Sequence, residues 1–318
     1  MKGRFAPSPT GHIHLGNVWV ALLAYLSTRS QGGDFLIRME DIDKQRSKRQ
    51  LGEALLDDLE WLGFDWDQGP RASSDQETYW QSHRYSYYDK ILRQWEEEGK
   101  IYPCFCNRAR IQAIASAPHR GEHRLLYDGY CRNLDSKQRG IMSQDKAPSY
   151  RLRLESCQIT FNDSWQGAVV TNLVEGADDF VLKRADGMFA YNLAVVLDDL
   201  AMGVTEVVRG ADLLDATAQQ IYLYKLLNQD HPTYCHAPLL VDGQGYRLSK
   251  RQASITVADL RTAGYSSRQI LGHLVRATGL FKGSGNPSLI DLISLWKSGG
   301  LNLDCLSVNQ ITMPKTPL

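Results

Sequence analysis

The stretch Arg4-Phe5-Ala6-Pro7-Ser8-Pro9-Thr10-Gly11-His12-Ile13-His14-Leu15-Gly16-Asn17 reads as the end of a short strand, a stiff proline-punctuated loop and the opening of a helix. Val18, Leu22 and Leu26 continue that helix on one face. Backbone N–H groups at a helix N-terminus favour an anion, and glycine there lets a flat ring or a phosphate come close. An imidazole at the same point can bond phosphate oxygens. Alone, His-x-Gly is equally a βα turn with a solvent-facing histidine.

Working outward, a strand near residues 2–6 precedes a helix from about 15 to 30, and Phe35-Leu-Ile-Arg-Met39 makes a buried strand. A second helix carries Ala54, Leu55, Leu59 and Leu62. This βαβα order predicts an α/β fold with a Rossmann-like parallel sheet and right-handed crossovers. Sites in such sheets lie at the carboxyl ends of strands, where Ser8 to His14 and Glu40 fall. Near the other end, the strand-like run His236-Ala-Pro-Leu-Leu-Val241 leads through Asp242-Gly243-Gln244-Gly245 to Tyr246-Arg247-Leu248-Ser249-Lys250-Arg251. A lysine on such a turn suits the charge that grows on a departing pyrophosphate. In isolation that turn is a basic surface loop; with the first motif it forms an ATP signature.

Composition bounds the rest. With 318 residues the chain has room for two or three packed units. Its formal net charge is zero, so any RNA contact rests on local patches. Arg108, Arg110, Arg120, Arg124 and Arg132 form one candidate, which a solvated face explains as readily. No apolar run approaches the roughly 18 residues of a membrane span, and the N-terminus does not read as a signal peptide. A cytoplasmic monomer with reduced cysteines is expected.

From about 71 to 170 the alternation breaks. Aromatic helices with Tyr79, Trp80, Tyr85, Tyr88 and Trp95 lead to a cysteine cluster and a β-rich patch at Tyr150–Leu154 and Gly167–Thr171. The expected organisation is a catalytic sheet in two halves, 1–70 and 171–251, split by an insertion at 71–170 and followed by a helical region at 252–318. The sheet is expected to resume with Asp179 to Leu182 and Thr205 to Arg209. Cys104, Cys106 and Cys131 are spaced for tetrahedral zinc, which would pin an insertion too small for its own core. Cys157, Cys235 and Cys305 are isolated and read as packing residues.

The two ATP segments resemble the paired signatures of class I aminoacyl-tRNA synthetases. Arg4 to Asn17, Arg38-Met-Glu-Asp-Ile-Asp43, Trp61-Leu-Gly-Phe-Asp-Trp-Asp67, Asp179 to Gly187, Tyr191-Asn-Leu-Ala194, Asp198-Asp199 and Val208-Arg-Gly210 are similar, in order, to the glutamyl-tRNA synthetases. The resemblance covers roughly the first 255 residues. It implies that Arg4, Phe5, Ala6, Pro7 and Ser8, with Glu40, Tyr191 and Arg209, hold L-glutamate. The two arginines suit carboxylates, Glu40 the ammonium, and Tyr191 adds a hydroxyl. It implies that Gly11, His14, Gly16 and Lys250 bind ATP with Mg²⁺, His14 and Lys250 being catalytic. The substrate carboxylate itself attacks, which fits the lack of a Ser-His-Asp or Cys-His signature.

Full-length relatives often place a histidine ligand just after the last cysteine, where this chain has Arg132 and Asn133. The short branch of the family resembles a pattern completed by a tyrosine four residues earlier, here Tyr127, with His123 and His119 as competitors; one zinc per chain is expected. Leu318 follows soon after the lysine turn, and no anticodon-binding domain is expected. The helical region would be stem-contact-like. The short branch attaches glutamate to the queuosine base in the anticodon loop of tRNA(Asp). A truncated enzyme charging tRNA(Glu) and a non-catalytic glutamate- and ATP-binding paralogue stand as the alternatives.

Overall fold

A four-stranded sheet, all of its pairings parallel, forms the framework. Strand β1 (Lys2–Phe5) lies between β2 (Asp34–Ile37) and β8 (Glu206–Gly210), and β9 (Thr233–Ala237) flanks β8. Helix α1 (Leu15–Ser30) joins β1 to β2, and α2 (Arg49–Leu62) follows. The computed structural model describes residues 1–107, 110–111, 127–248 and 255–314.

Because side chains alternate along a strand, the sheet feeds two cores. Phe35, Ile37, Val208 and Cys235 pack on one face with α1, α2 and the C-terminal helices α7 (Val257–Thr262), α8 (Ser267–Ala277) and α9 (Leu289–Lys297). Leu36, Val207 and Tyr234 face the other core. There they meet α3 (Tyr85–Glu97), α5 (Tyr191–Ala201) and α6 (Leu214–Leu226). Helix α1 is buried all round from residue 21 to 28, so the expected single apolar face is too narrow a description. A helix covered on every side is central rather than superficial.

Between the sheet's halves lie β3 (Ile101–Cys104), α4 (Ser136–Asp145), β4 (Ser149–Leu152), the hairpin β5 (Cys157–Asp163) and β6 (Gly167–Leu173), and β7 (Val181–Lys183). Strands β3, β4 and β7 form an antiparallel sheet. The parallel sheet therefore does not resume at Asp179 to Leu182: β7 bonds β4, and β8 is the strand that returns beside β1. Residue 170, the expected edge of the insertion, falls inside β6.

Two strand boundaries also differ from expectation. The buried run 35–39 stops pairing with β1 at Ile37, and Met39 makes only an isolated bridge to Trp80. The run His236–Val241 is two strands, because Pro238 has no N–H for the ladder. After it, β10 (Leu239–Val241) pairs with β11 (Gln310–Thr312) instead of β8. The carbonyl of Pro238 accepts the Trp19 indole at 3.1 Å.

Gly52 on α2 faces the fully buried Trp80, whose ring would lie 2.4 Å from an added Cβ. Alanine would gain up to about 1 kcal/mol of helix propensity. Overpacking a closed core costs about 1–3 kcal/mol. We expect Gly52→Ala to lower the urea midpoint of unfolding; a raised midpoint would show that Trp80 can yield.

Candidate active site

At the carboxyl ends of β1 and β8 the chain opens into a cleft of about 710 Å³. Its lining includes Arg4, Phe5, Ala6, Pro7, Ser8, Gly11, His14, Gly16, Glu40, Tyr191 and Arg209. These are all the expected glutamate and ATP residues except Lys250, which lies outside the described residues. Each arrives from a different element end: Arg4 and Phe5 from β1, His14 from the N-cap of α1, Tyr191 from the first turn of α5, and Arg209 from β8.

The helix opening at His14 has no side-chain cap; the Asn17 and Val18 N–H groups turn back to the His14 carbonyl, and Gly16 and Asn17 line the cleft. A Cβ on Gly16 would come within 3.1 Å of the His14 ring, which explains the need for glycine two residues on. An added Cβ on Gly11 would meet nothing within 4 Å, so that approach is open. Burial holds the His14 imidazole below its ordinary pKa, and its buried Nδ1 has no partner among the described residues. A neutral ring with an unused nitrogen is ready for an incoming polar ligand.

Behind the cleft sits a buried ion network. Arg38, with no exposed surface, donates from Nη1 to Asp199 at 2.7 Å and from Nη2 to Glu40 at 3.3 Å. Its Nε lies 3.8 Å from Asp198. Asp198 also accepts from Gln81 at 2.9 Å and from the Tyr88 hydroxyl at 2.7 Å. Arg4 donates to the Val208 carbonyl at 2.8 Å, and its Nε lies 3.7 Å from Asp199. Burial raises the Glu40 pKa, while Arg38 and Arg4 pull it back. Burial likewise raises Tyr191, whose hydroxyl therefore stays protonated.

Arg209 is held by Gln220 at 2.7 Å, Thr217 at 2.7 Å and His236 at 3.0 Å. Across the mouth, Arg247 pairs with Asp212 at 2.8 Å. Arg38 stood in a quoted motif without a role, although a charge inside an otherwise apolar strand run was a usable signal. Thr217, Gln220 and Asp212 carried no such signal; Thr217 and Gln220 reach Arg209 from α6, and Asp212 meets Arg247 from the turn before that helix.

The second cluster lies in the intervening segment. The sulfurs of Cys104, Cys106 and Cys131 lie within 4.8 Å of one another. Cys106 and Cys131 are 3.6 Å apart, and the Tyr127 hydroxyl is 3.6 Å from Cys104. Tetrahedral zinc with Zn–S of about 2.3 Å and Zn–O of about 2.0 Å puts ligand atoms about 3.5–3.8 Å apart, so these donors fit such an ion. The Tyr127 oxygen also accepts the Cys131 N–H at 2.8 Å, but burial and the neighbouring Cys104 outweigh that bond and hold the phenol protonated in the metal-free site. The Cys104 thiol is drawn down to about 4, first by its bond with Cys131 and also by the Arg151 guanidinium at 3.3 Å. Burial and the Cys104 charge raise Cys106. His119 and His123, the competing ligands, lie outside the described residues. Of the basic patch only Arg110 and Arg132 are described: Arg110 pairs with Asp128, and the largely buried Arg132 with Asp179. These two arginines are engaged structurally.

Residues 1–305 match the family model for tRNA synthetases class I (E and Q), catalytic domain. The chain is 44% identical over 281 residues to the glutamyl-Q tRNA(Asp) synthetase of Nitratidesulfovibrio vulgaris, covering 88% of this chain and 87% of that one. It is 46% identical over 281 residues to the protein of the same name from Symbiobacterium thermophilum, with 87% and 86% covered. The crystal structure of a glutamate-tRNA synthetase from Elizabethkingia anophelis superposes with a TM-score of 0.81 at 27% identity, covering 99% of this chain and 68% of that one. The chain belongs to the class I tRNA synthetases of the glutamate and glutamine branch, and it is a ligase of the glutamate–tRNA type with that family's fold. Among the described residues no helix is long and apolar enough to cross a membrane.

Arg38→Met would leave Asp198, Asp199 and Glu40 facing one another without their shared cation. Breaking a buried pair in this way costs about 3–5 kcal/mol. We expect a marked fall in thermal midpoint; an unchanged midpoint would mean that the network carries no stability.

Proposed function

We propose that this member of the class I tRNA synthetases converts L-glutamate and ATP to glutamyl-adenylate without tRNA, then transfers the glutamate to the queuosine base in the anticodon loop of tRNA(Asp). The observation that carries the first half is the gathering of two buried guanidinium groups and one buried carboxylate in the cleft that opens at the uncapped helix N-terminus. Glutamate carries two carboxylates and one ammonium. Arg4 and Arg209 complement the former and Glu40 the latter, with Tyr191 adding a hydroxyl and Phe5 to Ser8 lining the wall. A pocket of buried polar partners rejects analogues that lack them.

In this reading the α-carboxylate of glutamate attacks the α-phosphorus of ATP in line, and pyrophosphate leaves with its Mg²⁺. His14 and the α1 N-terminus take phosphate oxygens, Gly11 and Gly16 leave room for the nucleotide, and Lys250 meets the charge on the leaving group. Cys104, Cys106, Cys131 and Tyr127 would hold one zinc ion, which supplies a structural crosslink to the intervening segment. The second half of the reading is supported by relatives that carry this acceptor in their names. RNA recognition favours loops whose bases can splay out, as an anticodon base entering the cleft must. The protein would act as a cytoplasmic monomer.

Glutamate-dependent ATP–pyrophosphate exchange should proceed with no RNA present; exchange that requires tRNA(Glu) would favour a charging enzyme. Lys250→Ala should slow that exchange by on the order of 10²–10³-fold. Queuosine-containing tRNA(Asp) should accept glutamate while the queuosine-lacking form does not, and equal labelling of both would sink the acceptor assignment. Metal analysis should find one zinc per chain, lost on Cys104→Ser; full occupancy in Tyr127→Phe would remove the tyrosine from the ligand set.

A further inference from the structure

Asp163, the last residue of β5 before the hairpin turn, reaches a residue of β9. Its Oδ2 lies 2.6 Å from His236 Nδ1, and its Oδ1 accepts the backbone N–H groups of Trp165, Gln166 and His236. The other ring nitrogen, Nε2, lies 3.0 Å from Arg209 Nε and 3.2 Å from the Thr217 hydroxyl. His236 and Asp163 side chains have no exposed surface. Arg209 Nε–H can only donate, so Nε2 must present its lone pair. The histidine proton therefore sits on Nδ1, where the Asp163 carboxylate receives it. The imidazolium would point N–H at N–H, and the opposite tautomer would turn a lone pair on the carboxylate.

We propose that Asp163 and His236 are positioning residues for Arg209, fixing the guanidinium for the substrate carboxylate through a single histidine tautomer. This inference rests on the reading of the cleft as the glutamate site. Arg209's bonds to His236, Gln220 and Thr217, with a longer one to the Leu213 carbonyl at 3.4 Å, fix the plane of its fork and leave the second Nη1 N–H for a ligand. Burial, Arg209 and Arg4 push the His236 pKa down while Asp163 opposes them, and the net direction is downward. Burial pushes the Asp163 carboxyl up, and the bonds from His236 and Gln166 outweigh it. The groups facing the ring are Asp163 from the hairpin, Arg209 from β8, Arg4 from β1, Thr217 from α6 and Tyr234 on its own strand, stacked at 6.2 Å. Because the folded pKa is depressed, the neutral relay is complete above the ordinary histidine value of 6.5 and is lost as pH falls through the lower folded value.

Asp163→Asn is the decisive variant. Its amide oxygen keeps the three backbone N–H bonds, so the amide nitrogen must face Nδ1 as a donor. The histidine proton then moves to Nε2, against Arg209. Nitrogen-15 spectra of labelled histidine at pH 7.5 should show His236 protonated on Nδ1 in the wild type and on Nε2 in Asp163→Asn. The variant should raise the glutamate KM about tenfold or more in pyrophosphate exchange, as losing one charge-assisted bond does, with the ATP KM within about twofold. His236→Gln offers a carbonyl oxygen near the Nε2 position without titrating, so its glutamate KM should rise less than that of Asp163→Asn and should lose the wild type's further rise in acid. A wild-type ring protonated on Nε2, or on both nitrogens, overturns the relay. So does a flipped tautomer with an unchanged glutamate KM, provided Arg209→Ala raises it. If Arg209→Ala leaves that KM unchanged, the glutamate reading itself fails and the positioning proposal falls with it.

Discussion

Arg38 is a cation with no exposed surface, closed in by three carboxylates, and the geometry of the cleft follows from satisfying it. A lone buried guanidinium is too costly to retain, and so is a lone buried carboxylate. The end of β2 must therefore meet the C-terminal half of α5, where Asp198 and Asp199 sit. Once Asp199 is in place it also draws the Arg4 side chain on β1, and Arg38 steadies Glu40 two residues along its own chain. Three elements with different partners in the fold are thus tied through one side chain. The apolar cores on either side of the sheet would tolerate small slips between these elements; the ion network would not.

The same economy governs the cleft. A pocket for a ligand with two carboxylates and an ammonium needs two cations and an anion that stay apart while it is empty. Direct pairing of Arg4 or Arg209 with Glu40 would close it. Each group instead has an internal partner behind it: the Val208 carbonyl and Asp199 for Arg4, Arg38 for Glu40, and the Gln220, Thr217 and His236 set for Arg209. The partners come from the side of the cleft wall, so the outward edges of the charged groups remain available. That arrangement spends folding energy on rigidity and makes recognition cheap at the moment of binding.

Much of this was legible in the chain. The βαβα start follows from apolar periodicity and from Gly11 and Gly16, and the cleft residues Arg4 to Ser8, His14, Glu40, Tyr191 and Arg209 stand in contiguous motifs. What escaped was set by long-range packing. Strand β7 looks like any short buried strand, and nothing local says that it bonds β4 instead of β1. Pro238 did signal a break in the run 236–241, and the unbroken reading gave too little weight to its missing N–H. Asp163 reads as an ordinary turn residue; its partner His236 lies 73 positions away, so no spacing rule connects them.

The cysteine cluster sits in a small buried group of its own. Among the described residues the buried apolar group around it is Tyr102, Cys104, Phe105, Tyr127 and Cys131, with Cys106, Ile111, Leu134 and Met142 packed against it. Ile101, Leu152 and Leu182 of the same three strands join the larger core instead, so this group secures the cysteine end of the segment. Asp179 holds one side, accepting from the Tyr102 hydroxyl at 2.7 Å, from Arg132 at 2.8 Å and from the Leu154 N–H at 3.0 Å. A tetrahedral ion on the sulfurs would close the other side, and Arg151 bridges the two, with Nε on Cys104 and Nη1 on the Asp179 carbonyl. None of these residues lines the cleft around Arg4 and Arg209. The knot therefore supports its own segment, while the hairpin that follows it carries Asp163 to the active-site arginine. The cysteine cluster and the Asp163–His236–Arg209 contacts thus occupy separate parts of the same stretch of chain and share no residue.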